Sequence, residues 1–476
     1  MKFKIKNYLK KVILAGAFFT FSITLGASAS ILTIPSADEN VPVYNEGNVL
    51  KDYSSKDIYA VDNTTPMGNM DRKYNARVLD PNGYNTPETF NAIAGSNTNT
   101  SLSTLFYLPE GFNETNFQHG NFQSVTLDNE GNIYITESNG SDTDLGVIAK
   151  FNIDQLRKIG VGQNPNLILN AFSYFNPYTP EGIQHNLQYD KLFNQSKSQF
   201  KEISSLKTKL GKQKSAKNNY ENKVRGHSVK NKKSTLKKFD KEIKSTSAKL
   251  SKAIKSISKA KGANADLLKN VQICETAQLS PQVDIGHGQT LSFNPQNKHL
   301  YIVQDNILTD LQSMEDNNQV LEIDPNTMQP IRKYEFKMWR GSSSNLQLHT
   351  LAFDNDGNAY WGRKNGMGYM FFYGRLDQHD VQFQAAPAYF KNRGGSPNQD
   401  VAMNNATGRL YYITDDILTS IPVTEVRDGS FTASDIHYQV YDSKREFEDM
   451  TFDNQGYGYL LSLWPAQIMK SSAPME

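Results

Sequence analysis

The sequence predicts an all-β chain: a five-bladed β-propeller, six-bladed in the alternative, with an inserted α-helical hairpin or coiled coil. Three observations predict it. One phrase of strand, polar turn and strand returns five times, and most returns are about one blade apart. The one overlong gap is filled by Lys-rich sequence of helical periodicity.

The phrase first occurs as Gln123-Ser124-Val125-Thr126-Leu127-Asp128, a turn Asn129-Glu130-Gly131, and a strand closing on Tyr134. It returns from Gln289-Thr290 to Tyr301, His349-Thr350 to Tyr360, Gln399-Asp400 to Tyr411 and Glu448-Asp449 to Tyr459. The closing tyrosines are 167, 59, 51 and 48 residues apart. Trailing strands follow the first two phrases, at Gly146–Ile153 and Gln319–Asp324. The last repeat is short, and the extended segment Leu105-Phe106-Tyr107-Leu108 is the strand expected to complete it and remove an open edge.

At 476 residues the chain can bury a large core. Aromatic content of 11 % suits a β-rich protein, and a mean hydropathy of −0.59 excludes a multi-span membrane protein. Lys2, Lys4, Lys6, Lys10 and Lys11, the apolar run Val12 to Leu25, and Ala27-Ser28-Ala29 read as a signal peptide over 1–29, so the protein is expected to be secreted. Residues 30–104, rich in Asn, Asp, Thr, Pro and Gly, read as an irregular extension. The propeller is expected over 105–187 and 271–476. The lone cysteine, Cys274, allows no intramolecular disulfide and reads as a buried strand residue.

Residues 188–270 form the insertion. Gly and Pro are nearly absent from 190–222 and 230–261, and apolar residues recur at helical spacing around the breaker Arg225-Gly226-His227-Ser228. The insertion holds 23 Lys/Arg against 6 Asp/Glu, a net of +17, whereas the remainder outside the signal segment nets −20. A basic arm is often no more than a solvated face. Its functional reading is contact with an anionic cell-wall polymer or membrane surface, with Lys230, Lys232, Lys233, Lys237 and Lys238 as candidates. Docking of the arm on the acidic remainder is the intramolecular alternative. No nucleic acid is expected as partner, and oligomeric state is not legible.

None of the eight histidines stands at zinc-ligand spacing, and there is no Gly-x-Ser-x-Gly elbow or phosphate-binding glycine loop, so no metal, cofactor or catalytic residue is assigned. Asp354-Asn355-Asp356-Gly357 faintly resembles a calcium loop but lacks the distal glutamate; a hairpin turn explains it better. The more informative set is the pair opening each phrase: Gln123, Ser124, Gln289, Thr290, His349, Thr350, Gln399, Asp400, Glu448 and Asp449. In a propeller these converge at a channel mouth, where they bind a ligand or, on the bland reading, one another and water. His119 and His287 lie just upstream. Trp339, Trp361, Trp464 and the aromatic run Tyr369 to Tyr373 could stack on sugars, or fill the core.

The phrases Gly286-His287-Gly288-Gln289-Thr290-Leu291-Ser292-Phe293-Asn294-Pro295, Leu351 to Tyr360 and Phe447-Glu448-Asp449-Met450 resemble the helveticin J family, large bacteriocin-like exported proteins of lactobacilli. The resemblance covers roughly 115–187 and 271–476. It implies a five-bladed propeller secreted by a Gram-positive bacterium, acting on or binding related bacteria. The signal peptide, the long extension and the basic insertion depart from the family pattern. Three functions remain: a bacteriocin-like surface-binding protein with bactericidal activity, a non-toxic carbohydrate-binding or adhesion module, and a polysaccharide-cleaving enzyme using Asp400, Glu448 and Asp449. A non-enzymatic binding protein is the first expectation.

Overall fold

Three of the five phrases close on themselves through an aspartate at the turn. Asp128 accepts from the backbone N–H of Glu130 (2.8 Å) and Asn132 (2.9 Å), from Asn132 Nδ2 (2.6 Å) and from the Tyr134 hydroxyl (2.9 Å). Asp354 repeats the set with Asp356, Asn358 and Tyr360 at 2.7–3.0 Å. Asp453 does so with Gln455, Tyr457 and Tyr459. Gly131, Gly357 and Gly456 take φ of +79°, +75° and +83°, where a side chain would be strained. The carboxylates are thus engaged by their own hairpins, as expected of a turn and not of a calcium loop. Among the described residues no group of His, Cys, Asp and Glu is placed to hold a metal. Asp354→Ala should leave the buried Tyr360 hydroxyl and two backbone N–H groups unpaired, at a cost of about 3 kcal/mol. The check is a lower urea midpoint at unchanged m-value.

The computed structural model describes residues 34, 36–65, 74–113, 116–139, 144–224, 230–305, 317–340 and 344–476. The expected signal peptide and the breaker 225–228 lie outside the described residues. Each phrase supplies the first two strands of a sheet. Sheet 1 runs Asn121–Leu127, Asn132–Ser138, Leu145–Asn152, Ala277–Leu279; sheet 2 runs Leu291–Asn294, His299–Val303, Asn318–Asp324, Gln329–Lys337. Sheet 3 runs Ala352–Phe353, Asn358–Asn365, Gly368–Leu376, Val381–Phe390; sheet 4 runs Asn398–Asn404, Arg409–Thr414, Ile417–Pro422, His437–Val440. Sheet 5 runs Glu446–Phe452, Tyr457–Leu463, Gln467–Pro474, and takes Leu102–Tyr107 antiparallel to its third strand. A two-stranded pair, Trp339–Arg340 with Ser344–Asn345, stands apart.

The expected class is corrected. The chain is mixed α/β, not all-β; its strands are hydrogen-bonded into several separate sheets, it carries one helix of 44 residues, and no closed propeller is shown, with five blades or six. The physical reason lies in what the phrase encodes. Its turn chemistry and alternation fix a hairpin and the hairpin's buried faces, but the assembly of hairpins rests on non-local contacts that spacing does not specify.

Hydrophobic clusters fill the spaces between sheets. Tyr301, Val320 and Tyr334 of sheet 2 pack against Trp361, Phe372 and Phe383 of sheet 3, with the Trp361 ring 3.9 Å from that of Phe372 and 7° from parallel. Further clusters join sheets 3 and 4, 4 and 5, and 1 and 2. The described residues of 30–104 are mostly without regular structure, yet Val43–Asn48 adds parallel to sheet 2, Tyr59–Val61 parallel to sheet 3, and Thr89–Phe90 antiparallel to Leu102–Tyr107 in sheet 5.

The chain divides into two compact units; among the described residues one is Thr179–Lys269, and the other spans Leu32–Tyr178 with Asn270–Glu476. In the first, Thr179 Oγ1 accepts from the Gly182 N–H (3.1 Å) and Pro180 takes the opening position, where a missing N–H costs nothing. Helix Pro180–Lys223 extends 44 residues, or ~66 Å. It pairs with the 32-residue helix Lys232–Ala263. Ile203, Ala253 and Ile257 are buried in the seam, flanked by Phe200, Leu206, Leu250 and Ile254. Lys217 adds a 2.7 Å ion pair to Asp240 across it. Cys274 is buried as expected, but it ends a helix, Ala265–Cys274, instead of lying in a strand; helix formers precede it and no alternation supports a strand.

Candidate functional site: the polar end of the leading strands

The residues that open the phrases sit where the leading strands bend. Register slips between Phe122 and Ser124, between Asn398 and Val401, and between Phe447 and Asp449. A bulge of this kind re-aims the side chains at the slip. Two tiers of groups result.

The inner tier is sealed. Ser124, Thr290, Thr350, Asp400 and Asp449 are each at most 3 % exposed. Asp449 Oδ2 accepts from the Val125 N–H (2.8 Å) of sheet 1, and its Oδ1 from the Met450 N–H (2.6 Å). Ser124 Oγ donates to the Gly288 carbonyl (2.9 Å) leading into sheet 2. Thr290 Oγ1 lies 3.0 Å from the His349 carbonyl and 2.5 Å from Asp400 Oδ2. One hydroxyl proton cannot serve both acceptors. With Asp400 protonated, the carboxyl donates to Thr290 and Thr290 donates to His349. Burial pushes both carboxyls well above the ordinary range; for Asp449 the neighbouring Asp400 adds to the push, since two adjacent buried carboxylates cannot both ionise cheaply. Thr350 exchanges hydrogen bonds with Gly362 inside sheet 3. This tier ties strands together, which is the bland reading of these five residues.

The outer tier is mixed: Gln289 is partly exposed and His349 exposed, whereas Gln123, Gln399 and Glu448 are buried. Gln289 Nε2 donates to Glu448 Oε2 (3.2 Å), and His349 Nδ1 meets Asp305 Oδ2 at 2.5 Å. Gln123 is 2 % exposed and its Oε1 has no partner among the described residues. Gln399 is likewise buried. Burial raises Glu448 well above the usual carboxylate range, with Glu446 and Asp415 adding to the shift; burial also lowers the pKa of His287, against the pull of Asp305. Two glycines hold this corner. Gly286 meets Asp305 backbone so closely that a Cβ would fall 2.1 Å from its carbonyl oxygen, and Gly288 takes φ +78°.

Of the other groups at this end, Trp464 was in the predicted set as a sugar-stacking aromatic, whereas Asp305, Asp415, Glu446 and Tyr74 were not. Asp305, Asp415 and Trp464 follow the second strands of sheets 2, 4 and 5, and Glu446 opens the leading strand of sheet 5. Tyr74 donates to Asp415 Oδ2 (2.8 Å) and reaches Glu446 Oε1 (3.3 Å). Trp464 Nε1 donates to Glu446 Oε2 (2.8 Å), and its ring is 49 % exposed on a backbone at φ +63°. A bulky residue there is strained, and such strain concentrates at functional positions. The other aromatics of the predicted set are packed: Trp361, Tyr369, Phe371 and Phe372 are buried, and Trp339 is partly covered beneath Lys337. The side chain of His119 lies outside the described residues.

A cavity of about 60 Å³ lies between the leading strands, lined by Thr126, Ser292, Phe353, Met403 and Thr451 among others. It has room for a few waters and not for a sugar ring. In the helical unit, Lys230, Lys233, Lys237 and Lys238 are exposed, whereas Lys232 donates to the Val224 carbonyl (3.1 Å) and caps the first helix.

No family model matches the chain, and no curated protein does. Among solved structures that are similar is a crystal structure of glucose dehydrogenase, at 11 % identity and a TM-score of 0.24, over 39 % of this chain and 64 % of that one. The chain thus spans less than two thirds of that protein. A likeness so slight carries no argument about fold, and it neither confirms nor excludes enzyme activity.

Proposed function

We propose that the protein is an exported, bacteriocin-like binding protein of the helveticin J kind, whose polar end takes a carbohydrate on the surface of related Gram-positive bacteria. The observation that carries this reading is Trp464, exposed and held by Glu446, whose other carboxylate oxygen is reached by Tyr74, itself bonded to Asp415. A sugar offers an apolar C–H face to an indole and vicinal hydroxyls to carboxylates and amides, which matches this set. Adsorption to Gram-positive cells should be saturable, and a viability count on the same cells separates killing from adhesion. Protein that neither adsorbs to nor harms any of a panel of such cells would end this reading.

Glu448 favours a second reading. Burial raises the Glu448 pKa, with Glu446 and Asp415 adding to the shift, and a raised acid beside a second carboxylate is the pairing a glycosidase uses. If the protein releases reducing ends from wall polysaccharide, Glu448→Gln should abolish the release; unchanged hydrolysis would remove Glu448 from that role.

A further inference from the structure

The helical unit carries a second, separate feature. Along helix Lys232–Ala263, Lys233, Lys237, Lys241, Lys244, Lys252, Lys255 and Lys259 recur at steps of three, four or eight residues, and all are exposed. At 100° per residue they fall within a stripe roughly 100° wide and ~39 Å long. The seam residues Leu250, Ala253, Ile254 and Ile257 fall on the opposite side. Lys217 is neutralised by Glu221 and Asp240, but these seven have no acidic partner within ion-pair reach among the described residues. Like charges at such spacing repel and weaken a helix, so the array is a cost to the fold that an external polyanion would relieve.

We infer that this lysine stripe binds a linear phosphate polymer of the kind found in Gram-positive walls, at a site independent of the polar end. A lipid surface fits less well. The larger apolar residues of the pair are consumed in its seam, and the lysine stripe presents no apolar side chain larger than Ala248 to insert among acyl chains. Nucleic acid fits less well too, since no aromatic residue interrupts the stripe to stack on bases.

The test uses the full chain and inorganic polyphosphate. Seven phosphate contacts should make affinity fall about a thousand-fold between 50 and 200 mM salt. The variant Lys237→Gln, Lys241→Gln, Lys255→Gln, Lys259→Gln should lose more than half of the salt slope, with helix content unchanged by circular dichroism. Arginine at the same four positions should keep the slope. Binding that ignores salt, a glutamine variant that binds like the wild type, or anionic vesicles that polyphosphate cannot displace would each overturn the inference.

Discussion

Asp449→Ala is expected to destabilise the sheet-bearing unit by about 4 kcal/mol, because the N–H groups of Val125 and Met450 both lose a buried acceptor. Val125 belongs to sheet 1 and Asp449 to sheet 5, so the loss unties two sheets at once. The partner substitution should behave differently. Asp400→Asn places an amide donor against Thr290 Oγ1, the bond a protonated Asp400 makes, and should leave stability at neutral pH unchanged or higher. The two acids also set a pH dependence of definite sign. Their folded-state pKa values are raised, so the native state holds protons that the unfolded chain releases. Their contribution to stability is therefore fully present at and below the unfolded carboxyl range, about pH 4, and is lost as pH rises through the folded-state values. Urea unfolding of the wild type and Asp400→Asn from about pH 4.5 to 8 should show the steeper fall in the wild type. Parallel curves would mean that Asp400 is ionised at neutral pH, against the hydrogen-bond count at Thr290.

Trp464→Gly should separate binding from folding. Half of the ring is in solvent, so little core is lost, and glycine accepts φ +63° without strain. Relief at the positive φ partly offsets the loss of the half-buried ring and of its bond to Glu446, so the variant should stay within about 2 kcal/mol of the wild type and fold normally. Its affinity for the carbohydrate ligand should fall at least about 30-fold, the loss of one central aromatic contact worth about 2 kcal/mol. Glu446→Gln should weaken binding less, since the amide can still accept from the indole N–H and from a sugar hydroxyl. A Trp464→Gly protein that adsorbs to cells like the wild type would place the ligand elsewhere.

The parts of the structure that were legible in the sequence are those whose chemistry is local. Asp128, Gly131, Asn132 and Tyr134 close a hairpin among themselves, so the phrase could be read as a hairpin wherever it recurs. The class was not legible. No local rule states how five sheets join, and the all-β expectation gave too little weight to helical segments outside the insertion, such as Ile153–Ile159 and Leu167–Tyr174. Thr179-Pro180, an N-cap followed by a first-turn proline, already marked where the long helix begins, ahead of the expected 188.

At the candidate site, half of the outer tier was legible in the phrase openers, and Trp464 was singled out as a stacking aromatic. The phrase openers were singled out because they recur. The facing half follows from antiparallel pairing, which returns each second strand to the end where the first began: Asn398 pairs with Thr414, beside Asp415, and Glu446 pairs with Leu463, beside Trp464. That signal was available. Tyr74 was not, since 341 residues separate it from Asp415 and the described residues that follow it, 75–88, have no regular structure.

The most direct measurement of the central proposal is calorimetric titration of soluble wall polysaccharide, from cells that adsorb the protein, into full-length protein in ~0.5 M salt. The Debye length there is only about 4 Å, and lysine contacts are largely screened. Saturable binding should persist in the wild type and be lost in Trp464→Gly. Binding that vanishes in salt for both, or persists equally in both, would contradict a carbohydrate site built on Trp464 and Glu446.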